Sequence, residues 1–325
     1  MSATLDSQTF EQQGTELCKE SIATHSKSFA MASRLFSREM SERAAIVYAW
    51  CRRADDAIDE TPIEEQPAAL AGLRRELDAI YGEDPVGDPE LASFQRVVRA
   101  CSMPRIYCEE LLLGMQMDCE DTVYRDWDRL LLYCHRVAGV VGLMMCHVMG
   151  LRDAAARRNA THMGLAMQLT NICRDVLEDW ERGRLYIPED LLQECGAPQL
   201  AEQLGAPFPS HAIAPMAKAV EQVLERAESF YRSGDRGLLS LPWRAALAVR
   251  SARLIYSRIG ARVRAQDCDI TRGRAYVSKG RKLGLVARAL GSALLESPRR
   301  MLLGRIPEDS LRDIPPIRFP EDVLS

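Results

Sequence analysis

The 325-residue chain carries no excess of positive charge: 42 Lys and Arg stand against 46 Asp and Glu, for a net charge of −4. No basic surplus is present to neutralise a phosphate backbone, so nucleic acid is not an expected partner. None of the ten cysteines forms a C-x-x-C pair, and no regular spacing relates them. A zinc site or disulfide framework is therefore not expected. Thiols inside apolar patterns act as small hydrophobes, which suits a reducing cytosol. The first residues, MSATLDSQTFEQQGTE, lack the apolar core of a signal peptide. The longest apolar stretch, 137–151, has fifteen residues and contains Gly139, Gly142, His147 and Gly150. That is short of the roughly twenty residues a membrane span needs, so it reads as a buried helix. The expectation is a soluble cytoplasmic protein, attached at most to a membrane surface. Strand-type alternation of apolar and polar residues is also missing.

What is present is helical periodicity almost throughout. Helices are expected over about 11–25, 40–60, 66–82, 89–101, 104–120, 126–150, 153–181, 211–234, 241–267 and 280–296. Gly82-Glu83-Asp84-Pro85, Gly87-Asp88-Pro89, Met103-Pro104, Gly150 and the run Gly183 to Pro188 punctuate them. The segment 196–215 holds four prolines and reads as an irregular loop. With no shift in composition along the chain, one all-α domain over 1–306 is the economical reading. The tail 307–325, rich in Pro and acid, is expected to be poorly ordered.

Two acidic stretches stand out. The first is RRADDAIDE, residues 52–60. Asp55 and Asp59 lie about 40° apart on one helix face, with Arg52 a turn earlier. Alone this means little, because chance places roughly six acidic i,i+4 pairs in a chain of this composition. The second is QLTNICRDVLED, residues 168–179. Taking Gln168 as zero, Asn171 falls near −60°, Asp175 near −20° and Asp179 near +20°, one polar stripe climbing three turns. Solvated faces favour long Glu and Lys; these stripes use short Asp, a poorer helix former, with Asn and Gln. Carboxylates at i and i+4 on two facing helices supply the converging oxygens that hard divalent cations and their phosphate ligands require. Either cluster alone is as well explained by a solvated face. The pair together points to a metal–phosphate site.

The chain resembles the head-to-head prenyl synthases, the phytoene and squalene synthase family, and most of all its bacterial phytoene synthases, over about residues 22–290. The resemblance is carried by His25-Ser26-Lys27-Ser28-Phe29 and by Tyr48-Ala49-Trp50-Cys51-Arg52 leading into Asp55-Asp56-Ala57-Ile58-Asp59. Gly114-Met115-Gln116-Met117-Asp118, Val137-Ala138-Gly139-Val140-Val141-Gly142, the 168–179 stretch and Gly183-Arg184-Leu185-Tyr186-Ile187-Pro188 follow in order. It implies an all-α, isoprenoid-synthase-type bundle around a deep apolar cavity. Asp55, Asp59, Asp175 and Asp179, with Asn171, would hold Mg²⁺ (or Mn²⁺) against isoprenyl diphosphates. Arg52, Gln168, Asn171, Ser26, Lys27, Tyr256 and Arg274 would bind substrate.

The implied reaction joins two geranylgeranyl diphosphates through a cyclopropyl diphosphate into phytoene, with no call for NADPH. A dry cavity is needed, because water quenches a carbocation. One departure stands out: squalene synthases carry a proton-handling tyrosine just before Val-Ala-Gly, and here that position is Arg136, preceded by His135. Arginine is no base near neutral pH, which leaves His135, Tyr133 or released diphosphate to take the proton, or a different product. Two other readings stay open: a C30 enzyme acting on farnesyl diphosphate, and a non-catalytic scaffold docked on membranes. The basic amphipathic segment 282–305 suits contact with anionic lipid, and a downstream desaturase is a candidate partner.

Overall fold

Short polar side chains set the starts of several helices. The Ser37 hydroxyl accepts from the Met40 amide at 3.3 Å. Asp88 accepts from the Glu90 and Leu91 amides at 2.9 and 3.0 Å, and Asp126 accepts from the Arg129 amide at 2.8 Å. Each satisfies a donor that the first turn leaves open. Gly150 and Gly196 take left-handed conformations (φ +65° and +98°) at the ends of two other helices, where an L side chain is strained.

The computed structural model describes residues 2–120, 123–151, 153–197 and 199–295. Its α-helices run in order α1 (Ser2–His25), α2 (Lys27–Ser33), α3 (Arg38–Asp59), α4 (Gln66–Tyr81), α5 (Pro89–Ala100), α6 (Arg105–Glu120) and α7 (Trp127–Cys134). They continue with α8 (Val140–Met149), α9 (Arg157–Glu181), α10 (Glu189–Cys195), α11 (Ile213–Gly237), α12 (Trp243–Arg264) and α13 (Lys279–Leu295). Among the described residues no strand occurs, only an isolated bridge between Val123 and Leu185.

The expected all-α fold is what forms, with four local differences. The first helix, expected over about 11–25, already begins at Ser2. The seven-residue α2 and α10 were not anticipated. The helix expected over 126–150 contains a π-helical turn, His135–Gly139, between α7 and α8. The loop at 196–215 carries two short 3₁₀ turns, Leu200–Gln203 and Ser210–Ala212. It is pinned by the Trp180 indole, which donates to the Ala206 carbonyl at 2.8 Å. The tail 307–325 and the residues 296–305 of the basic segment lie outside the described residues.

α9 is the central post. It packs along α11, α12 and α8, while α3 packs on α1 and α5. Trp50 of α3 stacks on Phe94 of α5 with ring centroids 4.7 Å apart, both almost fully buried. Gly142 and Gly164 let α8 and α9 close on each other: a Cβ at Gly142 would lie 2.6 Å from the Ala160 carbonyl oxygen, and one at Gly164 would lie 2.3 Å from that of Ala138. The helical run Trp127–Met149 is long and apolar enough to cross a membrane. Here Leu130, Leu131, Val140, Leu143 and Met144 are fully buried in the protein core.

Candidate active site

Between α3, α8, α9 and α12 lies a cavity of about 390 Å³. Its walls are overwhelmingly apolar, including Phe29, Val47, Met115, Val141, Met145 and Met163. Polar groups collect at one end, where Arg52 and Asp55 of α3 meet Gln168 and Asn171 of α9. Toward the other end the lining includes Leu151, Ala156, Leu238 and Leu241, with Asn159 beside them. Part of each stripe read from the sequence therefore opens onto one shaft, whereas Asp59, Asp175 and Asp179 do not line it.

On the α3 side, Arg52 donates to Asp55 at 2.8 Å and also pairs with Asp56. Its neighbour Arg53 faces away, tying α3 to Glu76 at 2.8 Å and Asp88 at 3.3 Å. Burial, then the charge of Asp59, pushes the Asp55 carboxyl up to about 6. On the α9 side, Arg174 pairs with Asp175, which Arg274 also reaches at 3.0 Å; Arg274 further bonds Glu178 at 3.1 Å. Burial, then Asp175, pushes Asp179 up to about 7. Both elevations reflect carboxylates that burial and a like-charged neighbour make costly to ionise.

The predicted substrate residues divide. Gln168, Asn171, Arg52 and Tyr256 line the cavity, Tyr256 packing on Phe29 with ring centroids 5.4 Å apart. Arg274 sits above Asp175, half exposed. Ser26 instead caps α2, accepting from the Phe29 amide at 3.3 Å, and Lys27 is exposed beside it; neither lines the cavity.

Three groups with no assigned role in the sequence reading belong to the rim. Arg184, in the turn after α9, donates to Asp59 at 2.8 Å and also acts electrostatically on Asp55, Asp118 and Asp179, so it bridges the two acidic walls. Lys282 of α13 donates to Ser28 at 2.9 Å. Burial, then the charges of Lys27 and Arg174, holds its pKa down, so the three cations crowd together. Asp118 is buried and accepts from Tyr133 at 3.0 Å and Tyr186 at 2.7 Å. Arg184, Tyr186 and Asp118 all lie in recognisable stretches; what the sequence does not display is their meeting across about 70 residues or, for Arg184 and Asp59, 125.

The donor set suits a hard divalent cation. Oxygens come from both walls, and Asn171 Oδ1 is buried without a hydrogen-bond partner. Among the described residues no three carboxylate, imidazole or thiol side chains converge as a ready-made metal cluster. The aspartates stand as two separate pairs instead, an arrangement that leaves coordination positions for substrate phosphate.

An apolar shaft enclosed by helices and headed by opposed aspartates and arginines defines the helical isoprenoid-synthase class. Within it, the chain belongs to the squalene/phytoene synthase family, whose model matches residues 22–281. It is 38% identical over 275 residues to a 15-cis-phytoene synthase of Paracoccus sp., covering 82% of this chain and 88% of the relative. With the 15-cis-phytoene synthase of Pantoea ananas it shares 36% identity, over 86% of this chain and 92% of that one. Among solved structures, a dehydrosqualene synthase in complex with ligand superposes with a TM-score of 0.78 at 28% identity, covering 88% of this chain and 98% of the other. A squalene synthase from Alicyclobacillus acidocaldarius shares the fold, with a TM-score of 0.71 at 24% identity over 80% and 96% of the two chains.

Proposed function

We propose that this protein is a prenyltransferase that condenses two geranylgeranyl diphosphates head to head into phytoene, through a cyclopropyl diphosphate, in carotenoid biosynthesis. The observation that carries the reading is a polar rim, Arg52, Asp55, Gln168 and Asn171, set on an apolar shaft in one cavity. Relatives named 15-cis-phytoene synthase, matched over most of both chains, support the same reaction.

Depth supports the C20 substrate. From Asn171 to Asn159 the lining runs twelve residues along α9, about 18 Å at about 1.5 Å per residue. Leu151, Leu238 and Leu241 extend it below. A geranylgeranyl chain needs roughly 20 Å and a farnesyl chain roughly 15 Å, for C–C bonds near 1.5 Å.

Asp55, Asp59, Asp175 and Asp179, with Asn171, would hold Mg²⁺ or Mn²⁺. Such an ion supplies Lewis-acid neutralisation of the departing diphosphate. The chain's own residues do the rest. Arg52, Arg174, Arg274 and Lys282, with Lys27 near the mouth, bind phosphate oxygens that have lost water. Gln168 and Asn171 fix the head of the chain at the rim. Val141, Met145, Met163 and their neighbours exclude water, which would otherwise capture the cation. The last step releases a proton, so no NADPH is consumed.

A C40 hydrocarbon must leave for lipid. α13 exposes Leu283 and Leu290 beside Arg281 and Arg288, a composition suited to an anionic membrane surface and to transfer toward a desaturase. In this reading the enzyme works in the cytoplasm, peripheral to the membrane.

The test is to incubate purified protein and Mg²⁺ with geranylgeranyl or farnesyl diphosphate, with and without NADPH, and identify products. Phytoene from the C20 substrate alone, independent of NADPH, is expected. A C30 product formed in preference would replace this reading with the dehydrosqualene-type activity named for the 28%-identical structure.

A further inference from the structure

Below the rim the cavity wall is mostly apolar, and Asn159 breaks the pattern. It lines the deep end, between Ala156 and Met163, near the start of α9. Its carboxamide is tied down. Nδ2 donates to the Ser233 carbonyl at 2.8 Å and to the Ser233 hydroxyl at 3.1 Å. Only the nitrogen end of the amide can donate to a carbonyl, so these bonds fix which way it points. The Ser233 hydroxyl in turn lies 2.7 Å from His162 Nδ1, whose ring packs on Phe230 with ring centroids 5.0 Å apart. Ser233 is 7% exposed and does not line the cavity. Asn159 also has little room to swing: a Cβ on Gly237 of α11 would lie 2.6 Å from the Asn159 Cβ.

With Nδ2 spent on a residue outside the cavity, the end of the side chain left for the cavity is Oδ1. Among the described residues no donor reaches that oxygen, which is an acceptor with two lone pairs. A bare hydrocarbon end would cover it without replacing the water it gives up, which is a cost. A leucine would line the same wall without that cost, and without Ser233 and His162 behind it. Depth fits a chain end. Asn159 lies twelve residues from Asn171, about 18 Å at about 1.5 Å per residue. An extended geranylgeranyl chain with its diphosphate at the rim reaches roughly 20 Å, and a farnesyl chain stops about 3 Å short of Asn159. A donor on the last carbons of a C20 chain would therefore meet Oδ1.

The geometry points to Asn159 as a specificity-determining residue for a terminally oxygenated substrate, a geranylgeranyl diphosphate hydroxylated on a terminal methyl, whose hydroxyl donates to Asn159 Oδ1. This rests on the prenyltransferase reading above and widens its substrate class. The hydroxyl is remote from the diphosphate and takes no part in bond making or breaking. The same condensation therefore runs with the same balance, and the oxygen is carried into the C40 product. Two chains enter the cavity, but it holds a single Asn159. One oxygenated chain finds a partner for its hydroxyl in each turnover, while the second chain lies along apolar wall. The favoured product is a singly hydroxylated C40 chain. The reaction class that must supply the substrate is hydroxylation of the allylic methyl at the chain's far end.

The test gives the full chain and Mg²⁺ an equimolar mixture of geranylgeranyl diphosphate and its terminally hydroxylated analogue. Unmodified, singly hydroxylated and doubly hydroxylated C40 products are measured in the same tube, so the ratios do not depend on how much enzyme is folded. The native enzyme should make at least as much singly hydroxylated as unmodified product, and little that is doubly hydroxylated. Asn159→Leu removes the acceptor at similar volume and leaves the hydroxyl buried without a partner. The ratio of singly hydroxylated to unmodified product should then fall about 10–100-fold. If Asn159→Leu does not fold, Asn159→Val decides in the same way. An unchanged ratio in the variant overturns the proposal, as does a native enzyme whose product is almost wholly unmodified or mainly doubly hydroxylated. Native enzyme that forms no C40 product from geranylgeranyl diphosphate alone would instead overturn the prenyltransferase reading itself.

Discussion

Replacing Ala160 with Phe should shorten the substrate. Ala160 lines the cavity eleven residues below Asn171 on α9, a depth of about 16 Å at about 1.5 Å per residue. A phenyl ring there leaves room for a farnesyl chain and removes the space taken by the last isoprene unit of a geranylgeranyl chain. Five carbons denied burial, at about 0.8 kcal/mol each, amount to about 4 kcal/mol, or close to three orders of magnitude in kcat/KM. Steady-state kinetics with both substrates read this directly. The C20 value should fall by about 10²–10³-fold while the C15 value changes by less than about threefold, and C30 product should appear. If both values fall together, or if the C20 value holds, the rim-to-floor assignment of the cavity is wrong.

Other consequences follow from named contacts. Asp55 and Asp179 are held up to about 6 and about 7, and a divalent ion binds their ionised forms. Activity at limiting Mg²⁺ should therefore fall as pH drops from 7 toward 6, and the acid limb should move to lower pH as Mg²⁺ is raised. A pH profile at two metal concentrations checks this. Arg184→Ala removes the cation that lowers Asp55, Asp118 and Asp179, so the same limb should move to higher pH, with kcat/KM reduced about 10–100-fold. Trp50→Ala deletes a 3% exposed ring stacked on Phe94 and should cost about 3–5 kcal/mol in denaturant unfolding.

The fold was legible wherever periodicity ran for several turns. α3, α4, α5, α6, α9 and α11 lie within a few residues of their expected limits, because one apolar stripe per helix faces a shared core. α2 and α10, at seven residues each, hold too few turns to show a period. The π-turn leaves no compositional mark, since Val137-Ala138-Gly139 reads equally well as α-helix. At the site, i,i+4 aspartates announced themselves because helix geometry alone aligns them. Arg184 and Asp118 did not, because their roles arise only when a turn after α9 folds back to α3 and α6. Ser26 shows the converse: its motif suggested substrate contact, while its hydroxyl is engaged at the start of α2.

The central claim is that aspartates on two opposed helices together release diphosphate into an apolar cavity. It is tested most directly by diphosphate release from geranylgeranyl diphosphate, at saturating Mg²⁺, in the single variants Asp55→Ala and Asp175→Ala. Each should lose about 10²–10³-fold in rate while unfolding at a temperature close to that of the native protein. Native-like release in either variant would contradict the account.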